Sequence, residues 1–206
     1  MTLADARNLP VIVLGAGHGR RMGGPKLFAE HKGRTFLQRI LERCRETAAR
    51  VTLVVDPCHQ ERLEALFTAL PPRLLAPFPR IVEADGELEM LDSLRAALRA
   101  GPYEPGFWLW PVDAPFISAA GWAKAAQTAA RDPNGIWKLR SRGRTGHPVW
   151  FPFHVTRALL EGEWPDGLRG FLKTVPAERI QLLEMEDEYL EDVDTPQQLA
   201  GLGWLE

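Results

Sequence analysis

Five glycines, two adjacent arginines and a lysine crowd into VIVLGAGHGRRMGGPK, Val11 to Lys26, directly behind four apolar residues. A glycine-rich turn after a strand offers backbone N–H groups to phosphate. Gly15-x-Gly17-x-Gly19 invites a dinucleotide reading, but that fingerprint wants an acidic residue ~20 positions on. The acidic residue that ends the next strand is Asp56, too late for such a unit, and a seated pyrophosphate does not need Arg20, Arg21 and Lys26 in one loop. Gly19 and Gly24 have P-loop spacing, yet Pro25 precedes the lysine and Leu27 stands where a Ser or Thr would hold magnesium. What remains is a loop that wraps a polyphosphate while Arg21 makes forked contacts and Lys26 supplies a point charge. A glycine turn with merely solvated cations explains the density of both features less well.

Three further stretches carry candidate chemistry. In Trp110-Pro111-Val112-Asp113-Ala114-Pro115, prolines fix the backbone around an aspartate at a strand's carboxyl end. Open α/β sheets bind ligands there, and a hard carboxylate facing a phosphate loop suits magnesium; a helix-capping Asp is the competing reading. Arg144-Thr145-Gly146-His147-Pro148-Val149 is a shaped loop, and taken alone its histidine is more often structural than catalytic. Glu191-Asp192-Val193-Asp194-Thr195-Pro196 closes an acidic stretch from Glu184. Most such runs are solvated faces, but an apolar Val193 between aspartates turns at least one of them inward, and Asp194 is a candidate second magnesium ligand.

The elements that must position these residues alternate. Val11–Leu14 and Val51–Val55 read as buried strands, Arg80–Glu83 as a brief one, and Phe107–Trp110 as a fourth. Helices are expected over Thr35–Arg50, Gln60–Leu70, Leu88–Ala100 and Ser118–Ala130, and another opens at Gln197. This rhythm predicts a parallel sheet covered on both faces. Beyond Arg131, shorter strands at Ile136–Leu139 and His147–Phe153 flank a polar turn, Arg140–Gly146, with at least one antiparallel strand expected.

Bulk properties bound the rest. A chain of 206 residues, 45% hydrophobic and 25% charged, suits one α/β domain with a sizeable core about residues 10–202. A formal net charge of -2 gives no footprint for nucleic acid. Cys44 and Cys58 form no spaced metal-ligand motif and fit a reduced cytoplasmic protein. Met1–Pro10 lacks an apolar leader core, and no apolar run approaches the ~18 residues of a membrane span.

Together these motifs resemble the MobA-like nucleotidyltransferases, especially the branch that makes the molybdopterin cytosine dinucleotide cofactor. That family's L-A-A-G-x-G-x-R-M-G-x-x-K signature is matched by Leu14, Ala16, Gly17, Gly19, Arg21, Met22, Gly23 and Lys26, with Gly15 in place of an alanine. Its P-V-D-x-P matches Pro111–Pro115, its G-H-P-V-x-F matches Gly146–Phe151, its D-[VI]-D-T-P matches Asp192–Pro196, and a weaker G-x-R matches Gly167–Arg169. The resemblance implies a single Rossmann-like three-layer α/β/α domain, with a mostly parallel sheet and one antiparallel strand.

The resemblance also implies transfer of a nucleoside monophosphate from an NTP, with CTP favoured, to the phosphate of molybdopterin, releasing pyrophosphate. Leu14, Gly15, Ala16, Gly17, Gly19, Arg21, Lys26, Met90 and Ser93 would hold the nucleotide. Arg21, Lys26 and Asp113 would be catalytic, Asp113 and Asp194 would hold Mg2+, and Gly146, His147 and Pro148 would line the acceptor side. One departure stands out: where the family has G-M-x-x-S-[LI], this chain keeps Met90 and Ser93 but adds Glu89 and Asp92. Two negative charges beside a triphosphate weaken binding unless they face away or contact the base. Alternatives are a GTP-using sister, a transferase with another small phosphorylated acceptor, and a non-catalytic carrier of the cofactor. Such a carrier would deliver to a client molybdoenzyme, with Trp122, Trp164 or Trp204 as contact candidates; a nicotinamide oxidoreductase is a distant further reading.

Overall fold

The first strand, β1 (Pro10–Leu14), is buried along its whole length, which explains why its sequence is continuously apolar rather than alternating. A computed structural model describes residues 8–203; the leader reading of Met1–Pro10 and the contact role of Trp204 fall wholly or largely outside that range. After the glycine-rich loop comes a small antiparallel pair, β2 (Glu30–His31) and β3 (Arg34–Thr35). Helix α1 (Phe36–Glu46) follows, its first turn capped by Thr35, which accepts a hydrogen bond from the Gln38 N–H at 3.1 Å. It ends four residues earlier than the expected Arg50, because Ala48 turns left-handed (φ 50°) and Arg50 already pairs with Pro10 in the sheet.

The chain continues through β4 (Arg50–Val55), α2 (Gln60–Ala69), β5 (Arg80–Glu83), α3 (Met90–Arg99), β6 (Gly106–Pro111) and α4 (Ala119–Arg131). Then come β7 (Ile136–Ser141), β8 (Arg144–Pro152), α5 (Thr156–Glu161), α6 (Gly167–Thr174), β9 (Ile180–Glu184) and α7 (Pro196–Gly201). Seven strands form one sheet in the order β5-β4-β1-β6-β8-β7-β9. Only β8 runs against the others, pairing antiparallel with both β6 and β7. The predicted class, a single mostly parallel α/β/α domain with one antiparallel strand, is the one observed.

Two corrections concern the second half. The expected seven-residue turn shrinks to Arg142-Gly143, both at positive φ (50° and 77°), a two-residue hairpin whose twist matches its strands. Strand β9 was not anticipated, and it pairs parallel with β7 from Ile136↔Ile180 to Arg140↔Glu184.

Side chains alternate between two cores, one on each face of the sheet. Val11, Val13, Trp108 and Trp110 pack with Trp122 on one face; Ile12, Leu14, Phe107 and Leu109 pack with Leu94 and Phe151 on the other. Trp108, Trp110, Trp122 and Trp150 are fully buried, with neighbouring ring centroids 4.9–5.7 Å apart. Trp122 is therefore core and not a contact surface, while Trp164 is half-buried against Phe171. No helix among the described residues is long and apolar enough to cross a membrane.

Candidate active site

From β1 the chain winds to β4 and β5 on one side, then returns to place β6 on the other. The β1/β6 boundary is thus the point where winding reverses, and the loops at the two carboxyl ends part to leave a crevice. The glycine-rich loop leaves β1 there, and Asp113 leaves β6, the two joined by the Val112 N–H donating to the Leu14 carbonyl at 2.9 Å.

Local sterics shape the loop. Gly19 has φ 59°, and a Cβ on it would lie 2.0 Å from the Gly24 carbonyl oxygen, so no other residue permits this curl. The curl carries a short 3-10 turn, Arg20–Met22, and a second, Lys26–Phe28, anchored by fully buried Leu27. Gly17 faces open space. The loop lines a cleft of about 390 Å³ with Met90 and Ser93 of α3 opposite it and Asp113 and Asp194 at its floor. All nine residues predicted to hold the nucleotide line this cleft.

Lys26 is the hub of the floor. Its ammonium donates to Asp113 Oδ2 at 2.9 Å and to Asp194 Oδ1 at 2.5 Å, and Arg21 Nη2 reaches the same Asp194 oxygen at 3.0 Å. Burial alone would lower the Lys26 pKa, but the charges and hydrogen bonds of the two aspartates together hold it above the usual lysine value. The hydrogen bond from Lys26 holds the Asp194 carboxyl below its ordinary range, against the opposing effect of burial. Asp113 reaches this point as the β6 run ends, and the Val193 N–H donates to its carbonyl at 2.8 Å, docking the acidic segment onto it. Val193 is fully buried, so in this extended stretch both flanking aspartates share the opposite side.

Asp192 was absent from the predicted site, although the spacing carried the signal. Its residue surface is open to solvent, but its carboxyl is crowded by protein and lies near Asp113, Asp194 and Glu191; burial first and those charges second push it up to about 6. Asp113 Oδ1 is buried without a hydrogen-bond partner. An orphaned carboxylate oxygen beside a second aspartate is an all-oxygen donor set of the kind hard divalent cations take, so the residues fit such an ion.

A second, wider cleft of about 970 Å³ adjoins the first through Met90 and Asp194. Gly146 and His147 line it, whereas Pro148 is buried and does not. The β7–β8 register explains the shape: Lys138 pairs with Val149 and Leu139 with Gly146, so His147 and Pro148 bulge out of the ladder. A Cβ on Gly146 would sit 2.0 Å from the Leu190 carbonyl oxygen, so glycine lets the acidic segment close over β8. His147 Nδ1 is buried and unpartnered; burial lowers its pKa, opposed by the nearby Asp113 charge.

The added acidic residues of α3 face away from the loop. Glu89 lines the second cleft near Gly167, and Asp92 pairs with Arg95 at 3.3 Å. Besides Asp113 and Asp194, the first cleft is lined by Glu87, which pairs with Arg20 and lies 3.5 Å from His18 Nε2. Neither His18 nor Glu87 was singled out from the sequence; both sit beside motif residues rather than within them.

A mostly parallel α/β sheet with a glycine-rich, lysine-bearing loop facing a strand-end aspartate defines a nucleotide-handling transferase fold. The chain belongs to the MobA-like NTP transferase domain family, whose pattern matches residues 11–181. It is a nucleotidyltransferase of that fold. Among curated proteins no sequence match is found. Solved structures of similar fold include Rv0371c from Mycobacterium tuberculosis, 22% identical with a TM-score of 0.78 over 97% of this chain and 100% of that one. The same mycobacterial protein in complex with manganese is 21% identical, with a TM-score of 0.71 over 95% and 97%. A CMP:2-keto-3-deoxy-manno-octonic acid synthetase complexed with CTP is 14% identical, with a TM-score of 0.70 over 96% and 98%. Molybdopterin-guanine dinucleotide biosynthesis protein A from Archaeoglobus fulgidus is 16% identical, with a TM-score of 0.64 over 95% and 97%.

Proposed function

We propose that this protein transfers the nucleoside monophosphate of an NTP, CTP in preference, to the terminal phosphate of molybdopterin, releasing pyrophosphate. The observation that carries the reading is the meeting of two clefts at one charged floor, Lys26 with Asp113 and Asp194. The narrower cleft takes the triphosphate on the backbone N–H groups of the 15–19 loop, with the base toward Met90 and Ser93. The wider one takes the acceptor against Gly146 and His147, while buried Pro148 restricts the backbone of the bulge.

An acceptor phosphate oxygen attacks the α-phosphorus, the α–β bridging bond breaks, and pyrophosphate leaves. No protein nucleophile is required, because positioning and charge neutralisation carry chemistry of this type. Arg21 and Lys26 balance charge on the triphosphate. Asp113 and Asp194 would hold Mg2+, which supplies further charge neutralisation when bound. Lys26 and Arg21 themselves pair with these carboxylates, so a cation taken up by Asp113 and Asp194 would redistribute the pairs.

Support for CTP comes from the G-H-P-V-x-F resemblance and from a protein of the same fold crystallised with it. The manganese complex of the mycobacterial protein supports a divalent cation. Cys44 and Cys58 are free thiols, in keeping with a cytoplasmic location, and the product of the reaction would pass to a client molybdoenzyme. The test is to incubate the protein with Mg2+, molybdopterin and each NTP in turn and follow pyrophosphate. Release with CTP alone supports the reading, release with GTP moves it to the guanylyl branch, and tight molybdopterin binding without turnover makes the protein a carrier. Asp113→Asn should abolish turnover while circular dichroism stays unchanged; full activity in that variant refutes the assigned role.

A further inference from the structure

Beside the nucleotide-side cleft, at the carboxyl ends of β1 and β4, side chains with nitrogen, sulfur and oxygen donors converge. His18 projects from the glycine-rich loop, and Asp56, Cys58 and His59 come from the turn that follows β4. Cys58 Sγ lies 3.2 Å from His59 Nδ1, and His18 Nε2 lies 3.7 Å from Asp56 Oδ2. One donor atom each from His18, Cys58 and His59 lies within 4.8 Å of the other two. The two imidazoles meet edge to face with centroids 5.5 Å apart. A tetrahedral ion with bonds of about 2.0–2.3 Å needs its donors roughly 3.3–3.8 Å apart, so side-chain adjustments alone close the set.

The cluster is held from outside as well. Asp56 accepts the Cys58 N–H at 2.8 Å and the Gly86 N–H at 2.7 Å, which fixes its carboxylate. A Cβ on Gly86 would lie 2.3 Å from the Ala16 carbonyl oxygen and 2.9 Å from His18 Nε2. Glycine there lets three chain segments approach closely enough for His18 to face Asp56. Glu87, 3.5 Å from the same His18 nitrogen, and exposed Asp85, whose carboxylate lies within 4.8 Å of the His18 and Asp56 donors, are competing anions on the solvent side.

We propose that His18, Cys58 and His59, with Asp56 as the fourth donor, form a binding site for a thiophilic divalent transition-metal ion of the zinc class. Imidazole and thiolate donors select such ions, whereas the all-oxygen set of Asp113 and Asp194 suits Mg2+ or Mn2+. The two sites are therefore chemically separate. On binding, the Cys58 S–H bond breaks, its proton goes to solvent, and the thiolate bonds the ion without any redox change. Because His18 lines the nucleotide-side cleft, the ion ties the glycine-rich loop to the turn after β4.

The test is a Co2+ titration of the intact protein in excess Mg2+, followed by absorbance. We expect one Co2+ per chain with a near-ultraviolet thiolate-to-cobalt band and tetrahedral visible bands. Cys58 is exposed, so Cys58→Ser leaves the fold intact; it should abolish the thiolate band and weaken binding at least tenfold. His18→Gln should also weaken binding at least tenfold, and Asp113→Asn should change neither band nor affinity. Saturation without a thiolate band, unchanged affinity in Cys58→Ser, or loss of binding in Asp113→Asn would each overturn the proposal. Zn2+ competition should bleach the bands with the same stoichiometry.

Discussion

Replacing Lys26 by Met should make the nucleotide-free protein bind Mn2+ more tightly, not less. In the native chain one ammonium satisfies Asp113 at 2.9 Å and Asp194 at 2.5 Å, so a cation entering between them must first displace it. A unit charge pair at about 4 Å is worth roughly 4 kcal/mol in a medium of dielectric ~20, and desolvation of the lysine offsets much of that. A net charge-assisted hydrogen bond is worth about 1.5–3 kcal/mol. Taking about 1.4–2.8 kcal/mol for the displacement, Lys26→Met should raise Mn2+ affinity about 10- to 100-fold. The variant has no lysine to neutralise its aspartates, so its melting temperature should fall without metal and recover on adding it. Electron paramagnetic resonance counts free Mn2+ directly and needs no turnover. Turnover should fall at least about 100-fold in the same variant, since the triphosphate loses its fixed cation. An unchanged or weaker Mn2+ affinity would refute the idea that Lys26 and the ion compete for the same carboxylates.

Three further outcomes follow from the same geometry. The folded-state pKa of Asp192, about 6, lies above its unfolded value, so ionising it costs stability as pH rises through about 6. With discount for its solvent exposure, Asp192→Asn should gain about 1 kcal/mol over the native chain in urea melts at pH 8 and nothing at pH 3.5; a gain confined to low pH would reverse the sign. Gly146→Ala should cost about 1–3 kcal/mol in thermal unfolding, because its methyl meets the Leu190 backbone; an unchanged melting temperature would contradict that contact. Glu87→Gln removes a carboxylate at the rim of the nucleotide-side cleft, away from the Asp113 and Asp194 pair, and equilibrium dialysis should show NTP binding about two- to fivefold tighter.

Residues whose position follows from short-range chemistry were legible in the sequence. A strand, a glycine curl and a lysine lie within sixteen consecutive positions, and prolines bracket Asp113, so local rules place each group. The orientation of Glu89 and Asp92 was less legible, because it depends on where α3 begins and how it is rotated. Helical phase does carry part of it: at 100° per residue, Asp92 lies roughly 200° around from Met90, away from the face that Met90 and Ser93 share. Strand β9 escaped because it is a half-exposed edge of five residues whose partner, β7, is far upstream; its burial pattern has no clean period of two. The His147–Pro148 bulge depends on register between β7 and β8, which turn length sets, and the turn was expected to be longer than Arg142-Gly143.

Lys26 and Asp194 are separated by 168 positions in the chain, and the family pattern ends at residue 181, before either Asp192 or Asp194. During synthesis the sheet, the glycine-rich loop and Asp113 are all translated before the carboxylate that completes the floor. That carboxylate reaches the floor through the docking of the Val193 N–H on the Asp113 carbonyl. The floor of the site is thus drawn from both ends of the fold, and buried Met185, Leu190 and Val193 tie the later segment into the same core that carries Leu27 of the glycine-rich loop.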